Sequence, residues 1–241
     1  MEAQLDTNND SYYDSVAPHY LEISSAHRGY LHGINRFVVQ ILSCIHPENL
    51  LDIGAGDGRR SKYLAEALGI KQLTAIERCL KMAHEARKQI GEKNVLVGDA
   101  TKIVLPEEHF DAVISLWNVF GHIPSDSDRI EVLRKISKSL KPNGKCIIDV
   151  NNRYNASHYG RLAVVRNVFN DLIKRSDRGW FPLTMDGVRG NVYLHRPAEI
   201  KRYLSGVNLK VESMHYVDYS SGIVRKMPWK GQCVYVLTRI T

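Results

Sequence analysis

A glycine-rich segment around residue 54 places a flexible backbone at the end of an apolar run. Residues 50–53 supply that run, and Gly54, Ala55 and Gly56 follow it with little or no side chain. Glycine adopts positive φ angles without strain and lets a ligand lie against the main chain. A helix is predicted over residues 60–68, because apolar side chains recur there at helical spacing. The pattern fits a nucleotide-binding loop, and it also fits a tight strand-to-helix turn that binds nothing.

Carboxylates follow the next two apolar runs at distances that suit a nucleoside. Residues 72–76 predict a second strand that ends in Glu77, 21 residues after Gly56. A carboxylate at that position can accept hydrogen bonds from both ribose hydroxyls. Residues 95–98 predict a third strand followed by Asp99, whose carboxylate can accept a hydrogen bond from an adenine amino group. These strand ends are expected to meet at the carboxyl edge of a parallel sheet, where open α/β folds bind ligands.

The loop after the predicted fourth strand carries the side chains best suited to act on a substrate. That strand covers residues 110–116, and Asn118 and His122 follow it. An imidazole titrates near neutrality, so His122 is predicted to accept a proton or to orient the substrate. The alternative is that it caps the next helix or packs within the loop. Asn118 is predicted to face the substrate or a cofactor, and the alternative is that it holds the loop by local hydrogen bonds.

Composition narrows the class of protein. The 241 residues are 44% hydrophobic and 24% charged, which fits one α/β domain with a small lid or insertion. No apolar run approaches the ~18 residues of a membrane span, and the acidic, polar N-terminus resembles neither a secretory signal nor a transit peptide. The four cysteines lack CxxC spacing, which favours reduced thiols over disulfides or zinc ligands. A cytoplasmic protein with no membrane partner and no metal site is predicted.

Charge is distributed unevenly along the chain. The formal net charge is +7, but residues 1–50 hold 2 Lys and Arg against 6 Asp and Glu, whereas residues 151–241 hold 15 against 6. A basic C-terminal third is typical of a solvated face, and it also suits a small anionic substrate or a nucleic acid. These interpretations stay open, with nucleic acid the least favoured.

The pattern of apolar runs divides the chain into four parts. An N-terminal helical lid is predicted because apolar side chains recur at helical spacing over residues 30–45. In the core, a turn signal at residues 141–144 precedes a fifth strand at 145–150. The predicted parts are an N-terminal helical lid (1–46), a ligand-binding core (47–150), a substrate-side insertion (151–190) and a C-terminal helix and strands that complete the sheet (191–241).

The insertion is predicted because residues 151–190 are too long for an ordinary connection. It contains a helix over residues 162–174, followed by loops at 178–182 and 185–190. Beyond it, the pattern predicts a short strand, a helix and an antiparallel pair of strands, at 190–196, 197–205, 209–217 and 232–240.

Four motifs in this order resemble those of the class I methyltransferases that use S-adenosylmethionine. They are LDIGAG (residues 51–56), AIERCLKM (75–82), GDA (98–100) and LKPNGKCIIDV (140–150). The resemblance covers roughly residues 10–155 and implies S-adenosyl-L-methionine as the cofactor. It also implies an α/β fold with a Rossmann-like sheet, mostly parallel with the last strand antiparallel, an N-terminal helical lid and an insertion after the fifth strand.

Two further segments, residues 13–20 and 117–123, resemble those of glycine and sarcosine N-methyltransferases and of amino-sugar N-methyltransferases. In the glycine-type relatives an arginine after the fifth strand clamps the substrate carboxylate, but this chain has Asn151 at that position. Arg153 could replace it only with a shifted backbone. This departure counts against a glycine-like substrate.

The resemblance also implies site residues. Arg28 lies near the position of an arginine that pairs with the cofactor carboxylate, and Tyr13 and Tyr20 would form an aromatic wall beside the sulfonium. The alternatives are a surface arginine and tyrosines that only pack helices, and Met82 suits a plain helix core equally well. The predicted catalytic residues are His122, Tyr20 and Asn118. The predicted cofactor-binding residues are Tyr13, Tyr20, Arg28, Asp52, Gly54, Ala55, Gly56, Glu77, Arg78, Met82, Asp99, Ala100, Leu116 and Asn118.

Methyl transfer from a sulfonium depends on positioning the methyl acceptor more than on covalent catalysis. The chain is therefore predicted to methylate a nitrogen or oxygen of a small molecule, with anionic molecules among the candidates. The alternatives are an RNA or protein methyltransferase and a non-catalytic cofactor-binding module. An amino-methylating DNA enzyme is disfavoured, because its Asn/Asp-Pro-Pro-Tyr tetrad is absent after the fourth strand. The oligomeric state stays open.

Overall fold

An eight-stranded sheet forms the centre of the computed structural model, which describes residues 9–173, 179–185 and 187–240. A two-stranded hairpin is separate from this sheet. The strands of the described residues are β1 (Asn49–Ile53), β2 (Gln72–Glu77), β3 (Val95–Val97), β4 (Phe110–Ser115), β5 (Leu140–Val150), β6 (Trp180–Met185), β7 (Val188–Tyr193), β8 (Leu209–Val217), β9 (Val224–Arg225) and β10 (Gln232–Arg239).

The order of the central sheet is β3-β2-β1-β4-β5-β10-β8-β9. Strands β1 to β5 pair in parallel, while β10 is antiparallel to both β5 and β8. The predicted fold class, a mostly parallel Rossmann-like sheet with an antiparallel last strand, is therefore confirmed. One local difference is that residues 141–144, predicted as a turn, belong to β5. Its pairing with β4 shifts register there, between Phe110 and Ala112.

Helices cover both faces of the sheet. In β4, Ala112 and Ile114 share an apolar cluster with the helices Arg28–Leu42 and Arg59–Leu68. Val113 shares the opposite cluster with the helices Asp126–Ser139 and Glu199–Tyr203. This alternation buries both sides of the parallel strands. The helices of the described residues are α1 (Asn9–Val16), α2 (Tyr20–Ala26), α3 (Arg28–Leu42), α4 (Arg59–Leu68), α5 (Leu80–Ile90), α6 (Asp126–Ser139), α7 (Ala156–Tyr159), α8 (Arg161–Leu172) and α9 (Glu199–Tyr203).

The N-terminal helix predicted at residues 30–45 corresponds to α3 and a following 3-10 turn, Ser43–Ile45. Its apolar side packs into the core, as the helical spacing predicts. The buried residues of α3 are Tyr30, Gly33, Ile34, Phe37, Val38 and Leu42. Among the residues that the structure describes, no helix is long and apolar enough to cross a membrane.

The insertion contains the predicted helix and one element that the sequence analysis missed. Helix α8 lies close to the predicted range 162–174. The loops predicted at 178–182 and 185–190 are wrong for the described residues, because β6 and β7 pair there as an antiparallel hairpin. Parts of these predicted segments lie outside the described residues, namely Lys174, Arg178 and Asp186.

The sequence did contain a signal for this hairpin. Residues 186 and 187 are Asp-Gly, a pair typical of two-residue turns between antiparallel strands, and Gly187 has a φ of +77°. Strand β7 continues to Tyr193, so it crosses the predicted boundary at residue 190. The helix predicted at 197–205 is the shorter α9.

Candidate active site

A cavity of about 610 Å³ lies at the carboxyl edge of strands β1 to β5. Its wall includes the segments that follow these strands, together with α1, α2 and the β6–β7 hairpin. The order of the sheet divides this wall into a β1–β3 half and a β4–β5 half. The β1–β3 half comprises residues 53–57, 76–79 and 98–101 with Arg59, Arg60, Tyr63 and Met82, and the β4–β5 half comprises residues 116–119, 122–124, Asn151, Leu183 and Val192.

The turn after β1 accommodates only residues with little or no side chain. Gly54 and Gly56 have φ angles of +75° and +60°, which favour glycine. A Cβ on Gly54 would lie 2.4 Å from Cγ2 of Val119, and one on Gly56 would lie 3.0 Å from the hydroxyl of Tyr20. The turn therefore keeps its main chain close to the neighbouring loop and to α2. Both glycines line the cavity together with Ala55.

Glu77 ends β2, and main-chain donors hold its carboxylate. Oε2 accepts a hydrogen bond from the N–H of Gly56 at 2.8 Å, and Oε1 accepts one from the N–H of Cys79 at 2.9 Å. Burial raises the pKa of Glu77 to about 6, although these main-chain hydrogen bonds act to lower it. Each carboxylate oxygen has a second lone pair, so Glu77 can accept further hydrogen bonds from a ligand.

Asp99 follows β3 and lines the same half of the cavity. Its Oδ1 accepts hydrogen bonds from the N–H and the hydroxyl of Thr101, each at 2.8 Å, and its Oδ2 lies 3.9 Å from Nη1 of Arg78. Burial alone would raise the pKa of Asp99, but the hydrogen bonds from Thr101 and the charge of Arg78 hold that pKa below its usual value. Asp99 is therefore an ionised hydrogen-bond acceptor at neutral pH.

The loop after β4 begins with two consecutive residues in the left-handed conformation. Trp117 and Asn118 have φ angles of +68° and +62°, which cost free energy and persist only where the surroundings hold them. Asp149 of β5 supplies this support, since its carboxylate accepts the N–H of Asn118 at 2.8 Å and the hydroxyl of Tyr30. Oδ1 of Asn118 accepts the N–H of Asn151 at 2.8 Å. Strain of this kind is concentrated at functional sites.

His122 and Tyr13 form a pair at the cavity wall. The hydroxyl of Tyr13 lies 2.7 Å from Nε2 of His122, and the main chain of Asn191 in β7 also hydrogen-bonds the imidazole. Burial lowers the pKa of His122 to about 4, and the bond with Asn191 offsets this only in part. His122 is thus neutral at pH 7, but it does not titrate near neutrality as an ordinary imidazole does.

The predicted Arg28 does not reach the cavity, whereas Arg60, which was not predicted, lines it. Arg28 is exposed at the start of α3 and is not among the lining residues. Arg60 of α4 lines the cavity, with its Cζ 5.9 Å from the ring centroid of Trp117, whose ring centroid lies 5.5 Å from that of Tyr20. The signal for Arg60 in the sequence was its position in the first turn of the helix that follows the glycine turn.

Asp52 is buried beneath the glycine turn and does not line the cavity, contrary to the prediction. Its Oδ2 accepts the hydroxyl of Ser61 at 2.7 Å, so it joins β1 to α4. Burial raises the pKa of Asp52, and the hydrogen bond from Ser61 opposes this. The other predicted site residues all line the cavity: Tyr13, Tyr20, Gly54, Ala55, Gly56, Glu77, Arg78, Met82, Asp99, Ala100, Leu116, Asn118 and His122.

Arg153 does not take the place of an arginine at position 151. Its Nε donates to the carbonyl of Leu194 at 2.8 Å and its Nη1 pairs with Asp171 at 2.7 Å. Arg153 is buried and is not among the lining residues, whereas Asn151 lines the cavity. The segment after β5 therefore brings no described cation to the cavity.

The order of the strands defines the fold of the protein. The order β3-β2-β1-β4-β5 with an antiparallel β10 beside β5 is the class I methyltransferase fold. An S-adenosylmethionine-dependent methyltransferase from Clostridium acetobutylicum has the same fold, with a TM-score of 0.66 and 17% identity over 95% of this chain and 99% of that chain. The amino pentose methyltransferase CalS10 of Micromonospora echinaspora gives a TM-score of 0.62 and 15% identity over 91% and 96%.

Residues 51–148 match the family model described as a methyltransferase domain. Demethylmenaquinone methyltransferase of Thermotoga maritima is 30% identical over 111 residues, which are 46% of this chain and 47% of that relative. The chain thus spans about half the length of this curated relative. Residues 51–148 therefore match a methyltransferase domain, and the chain has the fold of S-adenosylmethionine-dependent methyltransferases, as the resemblance of its motifs implies.

Proposed function

We propose that this protein transfers a methyl group from S-adenosylmethionine to a nitrogen or oxygen of a small, neutral and largely apolar molecule. The observation that carries the proposal is the contrast between the two halves of one cavity. The β1–β3 half holds carboxylates and arginines. The β4–β5 half holds mainly apolar and aromatic side chains, with Asn118, His122 and Asn151 as its polar side chains. Its described lining residues include no Lys or Arg, although the guanidinium of Arg60 from the other half reaches Trp117 at its edge.

The polar groups of the β1–β3 half fit the cofactor. Glu77 can accept both ribose hydroxyls on the lone pairs that Gly56 and Cys79 leave available, and Asp99 can accept the adenine amino group. Arg60 supplies a cation for the carboxylate of the cofactor. When bound, S-adenosylmethionine supplies an electrophilic methyl group on a sulfur that leaves as a neutral thioether.

The β4–β5 half suits a neutral methyl acceptor. Ile123, Pro124, Leu183 and Val192 supply an apolar wall. A buried charge without a partner is costly, so an anionic substrate, one of the candidates from the sequence, is not favoured in this half. The relative named demethylmenaquinone methyltransferase supports a methyl acceptor of apolar, quinone-like character.

Three polar side chains in the cavity wall would orient the methyl acceptor. If the hydroxyl of Tyr13 donates to the neutral ring of His122, its oxygen can still accept a hydrogen bond from an N–H or O–H of the methyl acceptor. Nδ2 of Asn118 is buried and has no hydrogen-bond partner among the described residues, so it can donate to a ligand in the cavity.

The low pKa of His122, about 4, makes it a weak base. The methyl acceptor must therefore arrive with its lone pair already available. An aryl amine or an enol meets this condition at neutral pH, whereas an aliphatic amine is mostly protonated. The acceptor atom would bond to the methyl carbon as the carbon–sulfur bond breaks, and the N–H or O–H proton of the methylated product would pass to solvent when the product leaves. The protein would then mainly position the acceptor.

Methyl-labelled S-adenosylmethionine tests this proposal. We expect the purified protein to label aryl amines, phenols or hydroxyquinones, with the label extracted into organic solvent, and to leave glycine, sarcosine and RNA unlabelled. His122→Ala should lower turnover by about tenfold to a hundredfold, and the exposed His84→Ala should not. Labelling of RNA or protein alone would overturn the proposal, and so would cofactor binding without transfer to any small molecule.

A further inference from the structure

Helix α8 turns its apolar side toward solvent. Leu162 exposes 88% of its surface, Leu172 exposes 73% and Phe169 exposes 60%. Apolar residues on soluble proteins are ordinarily exposed singly, and a continuous exposed patch marks an interaction site. The apolar residues of this face, termed the α8 face, are Leu162, Val165, Val168, Phe169, Leu172 and Ile173, the last directly after the helix.

The opposite side of α8 is polar and is bonded to the protein. Nδ2 of Asn167 donates to the carbonyl of Arg153 at 3.0 Å. Asp171 accepts hydrogen bonds from Nη1 of Arg153 at 2.7 Å and from the hydroxyl of Tyr154. Rotation of the helix to bury its apolar side would break these charge-assisted bonds. The polar contacts therefore fix α8 with its apolar side outward, the reverse of α3.

The border of the α8 face is basic. Arg161 and Arg166 are exposed on the same helix, while its single acidic residue, Asp171, is held on the inner side. Residues 162, 165, 169 and 172 follow the spacing of one helical stripe. An apolar stripe beside arginines, with no carboxylate on that side, is the pattern of helices that lie in the interface of a membrane with anionic lipids.

Residues 226–230 carry a second group of exposed apolar and basic side chains, and this segment holds the start of α7. The carbonyl of Trp229 accepts the N–H of Ala156 at 3.0 Å, and α7 leads directly into α8. Trp229 and Met227 are half-exposed, and Lys226 and Lys230 beside them are exposed. Tryptophan and basic side chains are enriched where proteins meet the membrane interface.

We propose that the α8 face docks the protein on a lipid surface that contains anionic headgroups. The apolar side chains would enter the boundary between headgroups and acyl chains, and Arg161 and Arg166 would contact lipid phosphates. This contact is peripheral and needs no membrane span, and it departs from the sequence-based prediction of no membrane partner. The proposed contact gives the basic C-terminal third an anionic lipid surface as its partner, instead of a small anion or a nucleic acid. The inference does not depend on the identity of the methyl acceptor.

Flotation with lipid vesicles tests the docking. We expect the intact protein to float with vesicles of phosphatidylcholine that contain about 30% phosphatidylglycerol, and to bind several-fold less to pure phosphatidylcholine. The double variant Leu162→Glu/Phe169→Glu should lose binding by at least about tenfold. The control Gln40→Glu/Gln72→Glu carries the same charge change at exposed sites outside α8 and should bind as the wild type does. Arg161→Gln/Arg166→Gln should lose mainly the preference for anionic lipid.

Other occupants of the α8 face give distinct outcomes. Unfolding midpoints and cofactor affinity of all variants should match the wild type, so a loss of flotation cannot come from misfolding or from failure of the proposed function. A lipid-free dimer that Leu162→Glu/Phe169→Glu dissociates would overturn the proposal and assign the face to self-association. Unchanged flotation of that variant would also overturn it, as would RNA binding that only the arginine variant loses.

Discussion

The two halves of the cavity are built in different ways. The β1–β3 half takes its polar groups from the ends of three neighbouring parallel strands, within residues 53–101. The β4–β5 half combines the loop after β4 with the hairpin, and its His122 pairs with Tyr13, 109 residues away in sequence. Strand ends come together whenever the sheet forms, whereas the second half requires distant segments to pack correctly. In the proposed function, the sheet would recognise the cofactor, and the segments added around it would recognise the methyl acceptor.

The largest effect is expected where the two halves join, at the Trp117–Asn118 turn. Asp149→Ala removes the hydrogen-bond acceptor for the N–H of Asn118 and the hydroxyl of Tyr30 and leaves both donors buried. Hydrogen bonds to charged groups contribute about 1.5–3 kcal/mol each. We expect the free energy of unfolding, from urea titration, to fall by about 3 kcal/mol.

Asp149→Asn keeps the shape of the side chain and should lose less stability than Asp149→Ala. Tyr30→Phe removes only one of the two donors and should cost about 1.5 kcal/mol, half the loss expected for Asp149→Ala. An Asp149→Ala protein with wild-type stability and turnover would show that the strained turn does not depend on this carboxylate, and that the halves are joined by other contacts.

Glu77 tests the β1–β3 half alone. Glu77→Ala removes the carboxylate that is expected to accept the ribose hydroxyls, so the dissociation constant of S-adenosylmethionine in calorimetry should rise by one to two orders of magnitude, equivalent to about 1.5–3 kcal/mol. Glu66→Ala, at an exposed position of α4, is the matched control and should bind normally. Equal affinity of the two variants would contradict the assignment of Glu77.

The sequence predicted the strand ends that line the β1–β3 half, because each directly follows a strand whose apolar run is visible, and the role of their side chains toward a cofactor stays a prediction. It misplaced Arg28, since the direction of that side chain depends on how α2 and α3 meet. It could not predict the left-handed Trp117 and Asn118, because neither is glycine and their support, Asp149, is 31 residues beyond Asn118.

The insertion is a second region whose structure the sequence predicted only in part. Helical spacing predicted α8, but a spacing pattern does not say which side of a helix faces the protein. Polar contacts from Asn167 and Asp171 to the segment at Arg153 decide that, and they exist only in the folded chain. The β6–β7 hairpin is a different case, because the Asp-Gly pair at residues 186–187 is typical of a hairpin turn and could have predicted it from the sequence alone.

A pH series separates the two halves by titration. Only ionised Glu77 can accept both ribose hydroxyls, and its pKa is about 6, so protonation below that pH should weaken cofactor binding. For one proton, affinity should be level above about pH 7 and about tenfold lower at pH 5. Glu77→Gln should bind weakly with no such pH dependence.

His122, with a pKa of about 4, should contribute no titration between pH 5 and 8. A second titration in that range that His122→Gln abolishes would contradict the neutral, weakly basic imidazole described above.

The smallest effect concerns which arginine meets the carboxylate of the cofactor. Arg60 lines the cavity, and Arg28 does not. A half-exposed ion pair contributes up to about 1 kcal/mol, so Arg60→Ala should raise the dissociation constant of S-adenosylmethionine by about fivefold, and Arg28→Ala should leave it unchanged. 5′-Methylthioadenosine has the same adenine and ribose but no carboxylate, so it should bind equally to wild type and both variants.

If Arg60→Ala weakened both ligands equally, Arg60 would act through its packing on Trp117 and not through charge. If Arg28→Ala alone weakened S-adenosylmethionine, the arginine inferred from the resemblance would hold the carboxylate, and the N-terminal helices would have to close further over the cofactor when it binds.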